Sequence, residues 1–178
     1  MKELAAEEIV RALGLEPHAR EGGCFAETYR ADETIAAAAL PARYGGERRI
    51  STAIYYLLTP EGFSAIHRLR SDEVYHFYAG DPVELLQLRA DGTGEVIILG
   101  TDLARGMRPQ AVVPGGSWQG SRLADNGRFA LMGTTMAPGF DSADFEAGER
   151  AALVRAYPAF GGLIRVLTAD EEDGRRPG

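Results

Sequence analysis

Apolar and polar positions alternate in short runs along most of the chain, at 24–30, 51–58, 63–69, 73–78, 83–89, 95–99, 110–113, 129–136 and 163–167. A period of two sends successive side chains to opposite faces of a strand, so each run is predicted as a strand. Between the runs stand Pro60-Glu61-Gly62, Gly80-Asp81-Pro82, Asp91-Gly92, Pro114-Gly115-Gly116, Asp125-Asn126-Gly127 and Pro138-Gly139. These residues supply turn geometries. Many short strands with regular turns predict an all-β antiparallel sandwich or barrel. No alternating strand–helix rhythm points to a parallel doubly wound sheet. Leu4, Ile9, Val10 and Leu13 fall at helical spacing, which predicts a helix over 3–13 stopped at Gly14. A second helix is expected over 144–154, closed before Pro158. Residues 31–49 are Ala-rich and then Gly- and Arg-rich, and read as a long mobile loop with at most one helical turn. Residues 1–170 read as one domain and 171–178 as a frayed tail.

Composition narrows the partners. The 178 residues suit a single domain with a real core. With 19 Lys+Arg against 26 Asp+Glu, the net charge is −7. That balance argues against nucleic acid, which needs clustered cations, and against an anionic membrane surface. The one cysteine, Cys24, cannot form an intrachain disulfide and reads as a small buried hydrophobe. No apolar stretch is long enough for a membrane-spanning helix. The opening residues Met1-Lys2-Glu3-Leu4 carry no apolar signal region, and a cytoplasmic location is expected. Serine-hydrolase, NTPase, dinucleotide and zincin motifs do not occur.

The segment from Gly62 to Gly80 holds the most chemistry. His67, Leu69, Glu73 and Gly80 stand at the spacing of the first cupin motif, with Leu69 where that motif has its second histidine. Pro114, Gly116 and Gln119 stand at the spacing of the second, with Gln119 in the histidine's place. Further marks are Leu15-Glu16-Pro17-His18, Glu21-Gly22-Gly23, Glu27-Thr28-Tyr29-Arg30, Ser71-Asp72-Glu73, Trp118-Gln119 and Ala137-Pro138-Gly139-Phe140-Asp141. Over roughly residues 13–167 the chain resembles the cupin superfamily, and within it a family (DUF985) described as sugar-epimerase-like. The resemblance implies a double-stranded β-helix (a jelly-roll barrel), a homodimer, and one small-molecule pocket inside the barrel. It carries no established reaction. A full metal site in such a fold resembles three His and one Glu; here only His67, Glu73 and Gln119 stand at those positions. No cofactor is therefore expected, with a divalent metal as the alternative.

Strand parity assigns faces. His67 and Leu69 share one, as do Glu73, Tyr75 and Phe77. If residues 70–72 form a hairpin turn, His67 and Glu73 line the same interior; Arg30 or Arg49 is a candidate ion-pair partner for Glu73. His76 faces outward unless a bulge turns it in. Glu27 and Tyr29 share parity on one strand, and Ser51 and Tyr55 on the next. Phe140 and Asp141 follow a Pro-Gly turn, where Asp141 either reaches the pocket or caps a helix. Trp118 is a core residue or a ligand platform, and Arg48-Arg49 an anion site or a surface pair.

Tyrosine rings, carboxylates and an imidazole suit a sugar or nucleotide sugar. The leading expectation is an isomerase or epimerase. His67 or Glu73 removes a proton beside a carbonyl, and Tyr29 or Tyr75 returns it or stabilises the enolate. Glu27, Ser51, Tyr55, His76, Gln119, Phe140 and Asp141 are the expected ligand contacts. The alternatives are a non-catalytic sugar-binding module, or a metal enzyme using His67, Glu73 and Gln119.

Overall fold

Nearly every alternating run forms a strand, and the long central strands bury the face that their alternation marks as apolar. The computed structural model describes residues 5–168, so the tail expected over 171–178 lies outside the described residues. In chain order the helices and strands are α1 (Ala6–Leu13), β1 (Glu16–Pro17), β2 (Cys24–Arg30), β3 (Thr34–Ile35), β4 (Arg48–Arg49), β5 (Thr52–Leu58), β6 (Ser64–Arg68), β7 (Glu73–Gly80), β8 (Val83–Leu88), β9 (Gly94–Leu99), β10 (Gln110–Val113), β11 (Trp118–Leu123), β12 (Ala130–Met136), β13 (Glu146–Ala147), α2 (Arg150–Ala156) and α3 (Gly161–Val166).

Two antiparallel sheets face each other. The six-stranded sheet runs β1-β2-β5-β12-β7-β10, and the five-stranded sheet runs β13-β6-β11-β8-β9. Tyr56, Leu58, Tyr75, Phe77, Val83, Leu85, Leu99 and Met132 pack between them. This is the double-stranded β-helix that the resemblance implies. The helices close the outer faces. Ile66, Leu86 and Leu88 pack under α2 and α3 with Leu153 and Ile164, while α1 lays Ile9 over Leu57 and Phe129. No helix among the described residues is long and apolar enough to cross a membrane.

Four sequence expectations change. Residues 118–123 form β11 in the middle of the five-stranded sheet, although Gln119, Gly120, Ser121 and Arg122 hide any apolar alternation. Residues 163–167, expected as a strand, belong largely to α3; Ile164 and Leu167 lie three apart on its buried side. The helix expected over 144–154 starts only at Arg150, where the Glu149 carboxylate accepts the Ala151 and Ala152 N–H groups. The loop over 31–49 holds two short 3₁₀ turns and the small ladder β3–β4.

Residues 69–72 also do not form a hairpin, because β6 and β7 lie in different sheets. They turn a barrel corner instead. The Asp72 carboxylate accepts the Gly115 N–H at 2.8 Å. A Cβ on Gly115 would stand 2.4 Å from the Arg70 carbonyl oxygen, so only glycine lets the two turns close this near.

Candidate functional site

Hydrocarbon fills one end of the barrel. The other end, where β7 starts and β6 stops, carries polar groups around a cavity of about 180 Å³. β2 contributes Phe25, Glu27 and Arg30; β5 contributes Thr52 and Ile54; β7 contributes Glu73; Leu69 and Phe140 come from the adjoining loops.

His67 is fully buried on β6, with its ring stacked on Phe145 at 5.2 Å. Its Nδ1 lies 2.8 Å from the Ala65 carbonyl oxygen. A carbonyl only accepts, so Nδ1 carries the proton and Nε2 is left with a lone pair. That Nε2 is buried and has no hydrogen-bond partner. Burial holds the imidazole below its ordinary pKa of 6.5, against the pull of the nearby Glu73 charge.

Glu73 approaches from the opposite sheet. Its Oε2 accepts the Gln119 side-chain amide at 2.7 Å, and Thr134 gives a second side-chain hydrogen bond. Burial raises its carboxyl pKa, and the neighbouring Glu21 adds to the rise. Neither expected arginine pairs with it: Arg30 binds Glu27 with two hydrogen bonds, and Arg49 donates to the Asp32 carbonyl.

Glu21 lines the cavity, and parity reasoning misses it because it sits in a loop. Its Oε1 lies 3.8 Å from His67 Nε2 and 3.8 Å from His18 Nε2. The Glu21 N–H donates to His18 Nδ1, which leaves the His18 proton on Nε2, facing the carboxyl group. The loop is held in place around it. Tyr56 Oη donates to the Gly22 carbonyl, the Ala65 N–H donates to the Glu21 carbonyl, and Gly23 takes a φ of 66°. Burial raises the Glu21 carboxyl pKa, opposed by His18. The signal in the sequence was the His18…Glu21-Gly22-Gly23 stretch, which marks a family but does not show which way a loop side chain points.

The other expected residues divide. Glu27 and Phe140 line the cavity, and the Phe140 N–H donates to Thr52 Oγ1. Gln119 does not line the cavity and reaches it only through its hydrogen bond to Glu73. Tyr29 is 55% exposed, because the β2–β5 register shifts between Glu27 and Tyr29 and this bulge breaks their shared parity. Tyr75 faces inward but is sealed in the apolar core. Tyr55 packs with the α1 cluster outside the barrel, since Thr52 and Ile54 are the inward positions of β5. Ser51 shares that outward parity, and its carbonyl accepts the Ala31 N–H. His76 faces outward beside Thr135, Gln110 and Tyr78; the β7 bulge falls beyond it, opposite Leu131 and Met132. Asp141 caps a 3₁₀ turn through the Ala143 N–H.

The donor set does not fit a resident divalent ion. Leu69, which cannot ligate, stands at one expected ligand position and is buried. Gln119 gives its amide nitrogen to Glu73 and leaves only a neutral amide oxygen, a weak donor. Among the described residues no group of three or more His, Cys, Asp or Glu side chains could hold a metal.

Residues 7–148 match the family described as Cupin superfamily (DUF985). The Saccharomyces cerevisiae protein YML079W, itself uncharacterized, is 32% identical over 134 residues, which span 70% of this chain and 66% of the yeast protein. A hypothetical protein from Leishmania major superposes with a TM-score of 0.84 at 32% identity, over 94% of this chain and 100% of that one. Protein SO0799 from Shewanella oneidensis gives 0.83 at 32% identity, over 95% and 100%. The barrel, the buried His67 and Glu73 at its polar end, and these matches place the chain in the DUF985 family of the cupin superfamily.

Proposed function

We propose that the cavity performs acid/base isomerisation or epimerisation on a small hydroxylated carbonyl compound such as a sugar. The observation that carries this reading is His67 Nε2: buried behind the cavity lining, without a hydrogen-bond partner, and 3.8 Å from the carboxyl group of Glu21, which lines the cavity. Burial moves the pKa of His67 down and those of Glu21 and Glu73 up. These shifts favour a neutral imidazole beside a carboxylic acid over an ion pair. Nε2 then takes a proton from the carbon next to a carbonyl. The Glu21 carboxylic acid protonates the carbonyl oxygen to give an enediol and then, as the carboxylate, takes the proton of the neighbouring hydroxyl, while the imidazolium, beside Glu73, returns its proton to the former carbonyl carbon. Glu21 thus takes the role expected of Tyr29 or Tyr75. A cavity of about 180 Å³ holds a body the size of a monosaccharide, below the roughly 300 Å³ at which drug-sized pockets begin. The nucleotide of a nucleotide sugar would remain outside it.

Proton NMR in deuterated solvent tests the reading on a panel of aldoses, ketoses and their phosphates. Exchange at the carbon beside the carbonyl should fall by about 10²-fold or more in His67→Ala and in Glu21→Gln. No exchange above the His67→Ala background anywhere in the panel overturns it. Saturable binding without exchange would assign the cavity to storage or sensing. The reading includes the homodimer: Tyr78 and Val112, each about half exposed on the outer face of the six-stranded sheet, support it.

A further inference from the structure

We infer that a groove beside the cavity is an anion subsite, which binds the phosphoryl or carboxylate group of a small ligand. The groove has a volume of about 430 Å³, and Leu69 forms a wall of both it and the acidic cavity. Arg43 and Arg70 line it, with Gly115 and Gly116 at the adjoining turn. A Cβ on Gly116 would meet nothing within 4 Å, so the space above this turn is open.

The charges in the groove are unevenly answered. Arg48 lies behind it, 5% exposed, and binds both oxygens of the buried Asp144 at 2.9 and 2.5 Å. Arg70 Nε lies 3.4 Å from the same carboxylate. One carboxylate therefore serves two guanidinium groups. The partners of Arg43 are the Arg70 carbonyl and the Tyr44 hydroxyl, neither of them anionic. Arg68, at the rim, is balanced by Glu146 through two hydrogen bonds.

The cations are also fixed in place. Arg70 Nη1 donates to the Arg43 and Tyr44 carbonyls, while Arg43 Nε donates back to the Arg70 carbonyl. The Arg43 guanidinium lies 4.8 Å from the centre of the Tyr44 ring. Holding like charges together costs free energy that a bound anion recovers, and a braced guanidinium loses little entropy when it binds one. An anion here would therefore meet preorganised donors.

The link to a ligand body in the cavity rests on the function proposed above; the anion subsite itself does not. Resonances of arginine Nε–H groups are followed while inorganic phosphate, and separately malonate, is added at constant ionic strength. Saturable shifts at Arg43 and Arg70 are expected with at least one anion, and which of the two binds tighter separates phosphoryl from carboxylate recognition. In Arg43→Gln/Arg70→Gln the apparent Kd should rise at least about tenfold. Arg11→Gln, on the exposed side of α1, should leave it unchanged. If the double variant does not fold, Arg43→Gln alone provides the comparison, since that side chain is exposed. No saturation with either anion, or saturation indifferent to these substitutions, overturns the subsite. Glu73→Gln should keep phosphate affinity within about twofold, so a cavity without isomerase activity leaves this result standing.

Discussion

His67 on β6 and Gln119 on β11 are direct cross-strand partners, and each ends in a buried acceptor with no hydrogen-bond partner, Nε2 and Oε1. Cross-strand partners on one face have Cβ atoms about 5 Å apart. Gln119 also donates to Glu73 across the barrel. Gln119→Ala strips the buried carboxyl group of that donor. The expected cost is about 1–3 kcal/mol, read as a fall in Tm of about 2–10 °C. Gln119→Glu should cost more, because it puts a second acid against Glu73.

Glu73 and His67 should move stability with pH in opposite directions. The raised pKa of Glu73 means that the unfolded chain loses this proton near 4.5 while the folded chain still holds it. The stability it lends is complete below 4.5 and is lost as pH rises through the folded value. His67 has a lowered pKa, so the unfolded chain gains a proton below 6.5 that the folded chain refuses. Its stability is present above 6.5 and is lost as pH falls through the folded value. The difference in Tm between Glu73→Gln and the parent should therefore shift in favour of the variant from pH 4.5 to pH 8. For His67→Asn it should shift against the variant over the same range. Parallel trends by calorimetry would contradict the burial-driven shifts.

The loop that presents Glu21 depends on Gly23. Its φ of 66° lies in the left-handed region, and a Cβ there would stand 2.8 Å from the Leu57 carbonyl and 3.0 Å from Tyr56 Oη. Gly23→Ala should cost about 2 kcal/mol or more. Tyr56→Phe removes the hydroxyl that bonds the Gly22 carbonyl and lies beside the Ser64 side chain, at about 1 kcal/mol for the bond to Gly22. Both should weaken proton exchange, with Gly23→Ala the more damaging. A Gly23→Ala variant with unchanged exchange would show that Glu21 does not need this loop.

The strands were legible because a buried face imposes period two, and Glu73, Tyr75 and Phe77 followed it. Where the sequence misled, a local event broke that rule. The bulge after Glu27 sends Tyr29 out to solvent, and on β5 the even positions Thr52, Ile54, Tyr56 and Leu58 take the interior, which puts Tyr55 and Ser51 outside. β11 went unread because its inward residues, Gln119 and Ser121, are polar. Glu21 and Arg43 lie in loops, where no period relates sequence to direction. This yields a test: Tyr29→Phe should leave exchange within about twofold, and Tyr75→Phe should act through stability rather than turnover. A loss of turnover in Tyr29→Phe at unchanged Tm would return the acid role to that residue.

The two ligand positions that Leu69 and Gln119 occupy can be refilled. Gln119 is the cross-strand partner of His67, and Leu69 lines the cavity with Glu73, so Leu69→His/Gln119→His would set three imidazoles near one carboxylate. Imidazole and carboxylate donors suit Zn²⁺ or Ni²⁺. The double variant should be less stable than the parent, since it buries two more polar rings and removes the donor to Glu73. Added Zn²⁺ should restore part of that loss, because an ion that binds only the folded state raises Tm with its concentration. The parent chain, holding Leu69 and Gln119, should show no comparable rise. A rise in the parent that His67→Ala abolishes would mean that the native donors are sufficient after all.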